Sequence, residues 1–318
     1  MPKNASAPST ATLTVFRLAA LFTFLAVAMG ALVCATGSGA SCPTWPGCRP
    51  GQITPQWQLS PLIEFTHRVV AMSAGPLVLA AAIMSRRLHG PNRWVRILPL
   101  IALAGALAAG AFGRAAILSG IPTWMGGIDL FSALTAMTAM GVAAVMVGST
   151  ARGGSARRSA PGPQPRRVFP LAAMSLAVLV AMHVSGIFAA GKGSYTRCLG
   201  WPIWQRIDTD LQPWLQNVRL GLAGLGAVLV LTTVVVAVRD DRLRRWGIAL
   251  GTLFAAEMVL GQVIRAAGLN KGAAAGYSVM AVALVSCLGL LMAVTWPTRE
   301  VAATEATPQQ PELAGVGG

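Results

Sequence analysis

"PLIEFTHRVVAMSAGPLVLAAAIMSRR" (residues 61–87) decides how the rest of the chain is read. Between Arg68 and Arg86 it carries no charge, and its apolar part is long enough to cross a bilayer, which takes about 20 residues. The mouth of that run holds Glu64, His67 and Arg68. Ionisable groups at membrane depth are expensive, so these three are candidates for a function before anything else is known.

Runs of the same kind recur over residues 13–35, 62–85, 94–118, 124–148, 168–190, 215–238, 246–268 and 273–296. The chain is 54% hydrophobic and 11% charged, a balance that excludes an ordinary soluble domain. The expected class is therefore an all-α integral membrane protein with eight transmembrane helices. The first run is too long for a cleaved signal peptide and is expected to stay as a helix. Cys34 lacks the small residue that lipidation wants before it, since Val33 stands there. Cys34 and Cys287 read most simply as small apolar packing residues.

The net charge of +15 raises nucleic acid as a partner, but the basic residues sit in short connections rather than on one face. Segments 1–17, 86–96, 149–167, 239–245 and 297–318 hold 16 of the 25 Lys and Arg. The positive-inside rule then places both termini in the cytoplasm of a cell-membrane protein. Residues 36–61 and 191–214 become long outer connections. Cys42 and Cys48, close together on this oxidising side, read as a disulfide.

The two outer connections resemble each other. "GALVCATGSGASCPTWPGC" (30–48) aligns with "GIFAAGKGSYTRCLGWPIW" (186–204), matching Gly30 with Gly186, Gly37 with Gly193, Cys42 with Cys198 and Pro46 with Pro202. With four spans per half, the halves share an orientation and form a parallel repeat. The expected organisation is a four-helix bundle over 1–148, a cytoplasmic linker over 149–167, a second bundle over 168–296 and a disordered tail over 297–318.

Few ionisable residues lie in or near the spans: Glu64, His67, Arg68, Arg114, Asp129, His183, Arg219, Glu257 and Arg265. Arg68, Arg219 and Arg265 lie near outer ends, where they can snorkel to the headgroups. Glu64, His67 and Arg68 are spaced i, i+3, i+4 and share one helix face. Two readings of them stand together at this point. His67 is an axial ligand for haem iron with Glu64 holding a proton one turn away. Alternatively, Glu64 and Arg68 cap the helix mouth and His67 is only packed.

"TGSGASCPTWPGC" followed by "IEFTHR" resembles the heme A synthase family, membrane enzymes that oxidise a methyl of heme O to the formyl of heme A. The resemblance covers residues 13–296. It implies haem as substrate, Glu64 as the catalytic carboxylate and His67 as an iron ligand, with heme O synthase and cytochrome oxidase assembly proteins as partners. It also implies four histidines, with a resident haem b in the second half, and here this chain departs from the pattern. The position equivalent to His67 is Val218, and Asp129 and Tyr277 stand where the resemblance implies the other two. The partner it implies for Cys198 is Trp204, so Cys198 is expected to be free.

Replacements for the missing ligands have plain alternatives. Tyr277 reads as a phenolate ligand or as an interface anchor. His183 reads as a substitute ligand or as a helix–helix hydrogen-bonding group. Asp129 is a poor haem ligand but a good partner for an imidazolium. Glu257, the deepest carboxylate, is expected to be protonated or bonded to another helix. Three functions are weighed: a heme A synthase-type oxidoreductase, a non-catalytic haem-binding or oxidase-assembly relative, and a transporter, the last without an evident pair of broken helices.

Overall fold

The computed structural model describes residues 8–88, 92–120, 122–151, 163–191, 194–202 and 213–297. Its secondary structure in these residues is helical: α1 (Thr10–Thr36), α2 (Leu59–Ser85), α3 (Trp94–Leu118), α4 (Thr123–Ala151), α5 (Pro163–Ala189), α6 (Pro213–Val238), α7 (Arg244–Ala267), α8 (Lys271–Val294) and a 3₁₀ turn at Tyr195–Arg197. All eight long helices are long and apolar enough to cross a membrane. Helix ends follow local chemistry. Ser9 caps α1 by accepting from the Thr12 N–H at 3.2 Å, and Gly37, at φ 67°, closes it in the left-handed conformation a side chain would disfavour. Asn270 caps α8 in the same way, accepting from the Ala273 N–H at 2.8 Å.

Around the first half α1 packs on α2, α2 on α3, α3 on α4 and α4 back on α1; α5 to α8 close a second ring in the same order. Between the rings, α1 meets α8, α5 meets α4, and α4 meets α8. Exchanging the halves maps this set of neighbours onto itself.

Helix extends into both ends of the stretch expected to be a linker, since α4 runs through Ala151 and α5 starts at Pro163. Its middle, residues 152–162, lies outside the described residues, as do Lys3, Gly193, Trp204 and the tail from 298 onward. Near the end of the described chain, Trp296 packs edge-on against Trp94 and Phe169, with ring centroids 5.6 and 5.2 Å away. These rings mark the end of the molecule with short connections. The other end carries the two long connections and is called the loop end.

The halves are filled differently. In the first, Phe16, Val78, Leu98, Ala102, Met140 and Val147 build a core toward the short-connection end. On α3 the buried residues are Leu98, Pro99, Ala102 and Gly105; from Ala106 to Leu118 every residue is half-buried or exposed. That part of α3 is rich in small residues, including Ala106, Ala108, Ala109, Gly110, Ala111 and Gly113. In the second half, α7 is buried at intervals along its whole length, from Gly247 through Phe254 and Glu257 to Ile264. The interior there is packed by Leu179, Met182, Leu199, Trp201, Phe254 and Tyr277.

Candidate functional site at the loop end of the first bundle

Glu64 and Arg68 lie one turn apart on α2, 3% and 5% exposed, and form a buried ion pair. The Cys42 N–H donates to the second oxygen of Glu64 at 2.9 Å. Arg68 donates to the carbonyls of Thr44, Gly47 (2.9 Å) and Cys42 (2.6 Å). The pair therefore holds the 37–58 connection down onto α2, and Arg68 turns into protein rather than toward headgroups. Cys42 and Cys48 are disulfide-bonded inside that clamped loop, as their spacing suggests.

His67 projects from the same helix but onto the stripe that continues at Ala74 and Val78, both buried in the first bundle. Its Nε2 faces α1: a Cβ added to Gly30 would lie 3.3 Å from it. The ring is half-buried, and among the described residues it makes no hydrogen bond. Asp129 shares its α4 stripe with Ala136, Met140, Ala143 and Val147, the wall facing the same interior. It too is half-buried and has no hydrogen bond or ion pair among the described residues. Because α2 and α4 stand diagonally across the ring, His67 and Asp129 flank the bundle interior from opposite sides, and among the described residues they form no ion pair. The unburied, small-residue part of α3 forms another wall of this region.

Reading arginines as snorkelling residues needs correction in the second half as well. Arg219 is buried and donates to Met182 O at 3.2 Å and to Gly200 O at 3.1 Å. Gly200 aligns with Thr44, whose carbonyl Arg68 takes in the first half, so the anchoring chemistry is repeated. What is not repeated is the histidine. A Cβ on Gly186 would meet the Arg219 guanidinium carbon at 3.1 Å, where Gly30 meets His67, while Val218 is 46% exposed. Of the three, Arg265 alone is exposed.

Haem b, which the resemblance implies for the second half, does not fit the residues present there. Val218 has no donor atom and lies on the outside. Tyr277 donates its hydroxyl to Trp201 O at 3.1 Å. His183 accepts from the Gly200 N–H through Nδ1 at 3.4 Å, which leaves the proton of the neutral ring on Nε2 and removes that atom as a ligand. The space is taken by Trp201, whose ring packs edge-on against Phe254 at 5.3 Å. Glu257, 0% exposed, lies one turn beyond Phe254; neither of its oxygens has a hydrogen-bond partner among the described residues, so of the two alternatives expected of it, protonation or a bond to another helix, the bond is not formed.

Cys198 is not free. It is joined to Cys34 with an S–S distance of 2.04 Å and Cα atoms 5.6 Å apart, so Cys34 is a bridge partner rather than a packing residue. The bridge ties the last turn of α1 to the 3₁₀ turn of the opposite half. Cys287 is the free cysteine, buried in α8.

A family model described as cytochrome oxidase assembly protein matches residues 14–221. A heme A synthase of Symbiobacterium thermophilum is 30% identical over 267 residues, covering 77% of this chain and 83% of its own. Heme A synthases of Exiguobacterium sibiricum and Geobacillus kaustophilus are each 25% identical, covering 83% and 89% of this chain and 87% and 90% of their own.

Proposed function

Because the chain belongs to the cytochrome oxidase assembly protein family, we propose that it is a heme A synthase-type membrane oxidoreductase whose substrate site lies in the first bundle. The observation that carries this reading is the asymmetry of the two halves. His67 presents an imidazole without a hydrogen bond to a bundle interior whose α3 wall is unburied beyond Gly105, whereas the second interior is packed shut.

In this reading His67 holds the iron of heme O, and the small residues of α3 form the wall against which the porphyrin lies. Conversion of the ring methyl to a formyl takes the oxygen of one water and releases four protons and four electrons, the electrons leaving to an acceptor outside the chain. Glu64, one turn from His67, is the carboxylate assigned to proton handling, with Arg68 holding it in place. Asp129 faces the substrate from the opposite wall. Tyr277 and His183 are structural here, and no step passes through a second haem. The loop end faces the outside, where both disulfides persist, and the termini face the cytoplasm. Heme O synthase and oxidase assembly proteins are the partners this function needs.

The test is to extract haem from cells that make heme O, with the wild-type chain or Glu64→Ala expressed. Heme A from the wild type, and unconverted heme O bound to the variant, supports the assignment. Haem bound without conversion by both supports the second reading, a haem-binding assembly relative, which the missing histidines favour.

A further inference from the structure

Arg197 closes the 3₁₀ turn of the second half, and that turn is held rigidly. Ser194 caps it by accepting from the Thr196 N–H at 3.3 Å. The Tyr195 hydroxyl donates to Ala274 O at 2.9 Å, with Ser278 Oγ at 3.1 Å. Cys198, the next residue, is bridged to Cys34 on α1. From this mount the Arg197 guanidinium reaches across to the first half: a Cβ on Gly126 would lie 3.7 Å from its Nη2. Gly126 is one turn before Asp129, at the loop end of α4. On the α1 side, Cys34 lies one turn beyond Gly30, which faces His67, so the bridge sits about 6 Å along the helix from the histidine contact.

The cations of the loop end differ in how they are satisfied. Arg68 and Arg219 are spent on carbonyls, and Arg114 lies over the Trp45 ring at 5.3 Å. Arg197 is half-buried, and burial lowers its pKa from the ordinary arginine value. Yet among the described residues its side chain has neither an acid nor a carbonyl partner. A fixed, partly desolvated guanidinium without an anion is a site for a carboxylate that arrives with a ligand.

We propose that Arg197 binds a carboxylate of the haem substrate held in the first bundle, so that the second half, itself unsuited to haem, supplies the anion anchor of the other half's site. The inference rests on the reading that heme O occupies the first bundle. Haem matches it chemically, with iron at its centre for His67 and two propionates on one edge for a cation at the loop end.

Titrating the purified full chain in detergent with heme O and with heme O dimethyl ester tests it. The wild type is expected to bind the free acid about tenfold more tightly than the ester, the size of one charge-assisted contact. Arg197→Gln is expected to weaken the acid about tenfold, leave the ester unchanged and so abolish the difference, while Arg197→Lys retains part of it. A wild type that does not distinguish the two forms, or an Arg197→Gln protein that still does, overturns the proposal. Binding of neither form by the wild type overturns the heme O reading itself, and this inference with it.

Discussion

Gly30 on α1 and His67 on α2 fit one another: a single methyl added to Gly30 would come within 3.3 Å of His67 Nε2. The glycine thus sets how far the imidazole stands from α1. Gly30→Ala is expected to push the ring aside and weaken heme O binding several-fold, with a shifted Soret band. His67→Ala is expected to abolish binding. Unchanged spectra and affinity in both would remove His67 from the site.

The second bundle is expected to hold no haem. Tyr277→Phe and His183→Ala should leave haem content per chain unchanged, and the wild type should lack a low-spin bis-histidine signature in electron paramagnetic resonance. A low-spin signal that survives His67→Ala would show that the second half has found ligands after all.

Breaking the Glu64–Arg68 pair from one side leaves a buried charge alone. Arg68→Met is expected to cost about 3–5 kcal/mol of stability, and the double variant Glu64→Gln, Arg68→Met distinctly less. Thermal melts of the wild type, both single variants and the double variant in one detergent check the order. Additive losses would mean the two residues act independently.

Peptide mapping without reductant should find Cys34 joined to Cys198 and Cys42 to Cys48, with Cys287 as the only alkylated thiol after unfolding. Cys34→Ser should lower stability by about 2–4 kcal/mol, the usual range for a bridge closing a long loop. A free Cys198 in the wild type would refute the inter-half bridge.

Burial raises the Tyr195 phenol from 10.0 to about 12. The fold therefore favours its protonated form, and this contribution to stability is intact below pH 10 and lost as pH rises toward about 12. In a Tyr277→Phe background, where Tyr195 is the remaining tyrosine of two, tyrosinate absorbance should appear near pH 12. Adding Tyr195→Phe should flatten the loss of stability across that window. Ionisation near pH 10 would contradict the burial of the turn.

The spans were legible because a bilayer imposes a length and an apolar composition that local sequence must meet. The Cys42–Cys48 bridge was legible for a similar reason, since both thiols lie in one short loop. The Cys34–Cys198 bridge was not: its partners are separated by 164 positions and belong to different halves. The alignment of repeats pairs Cys198 with Cys42, which draws attention away from Cys34. Arg68 and Arg219 were misread because a position near a helix end does not reveal that a loop folds back to offer its carbonyls. Trp201 was missed for the same reason, being a loop residue that packs as core. Arg197 carried no signal in spacing, and only the contact of the 3₁₀ turn with α1 and α4 brings it to the first bundle.

The bridge between α1 and the 3₁₀ turn also orders the making of the molecule. Cys34 leaves the ribosome long before Cys198, so the first bundle can be threaded into the membrane in full while one of its cysteines still waits as a thiol. Only when α5 and the turn after it have been made does the partner arrive. Closure of this bond is thus a covalent record that synthesis has passed the midpoint and that the halves have met in the right orientation. A chain truncated before α5 carries the Cys42–Cys48 pair but keeps an unpaired thiol on α1, a chemical mark by which incomplete copies can be told from finished ones.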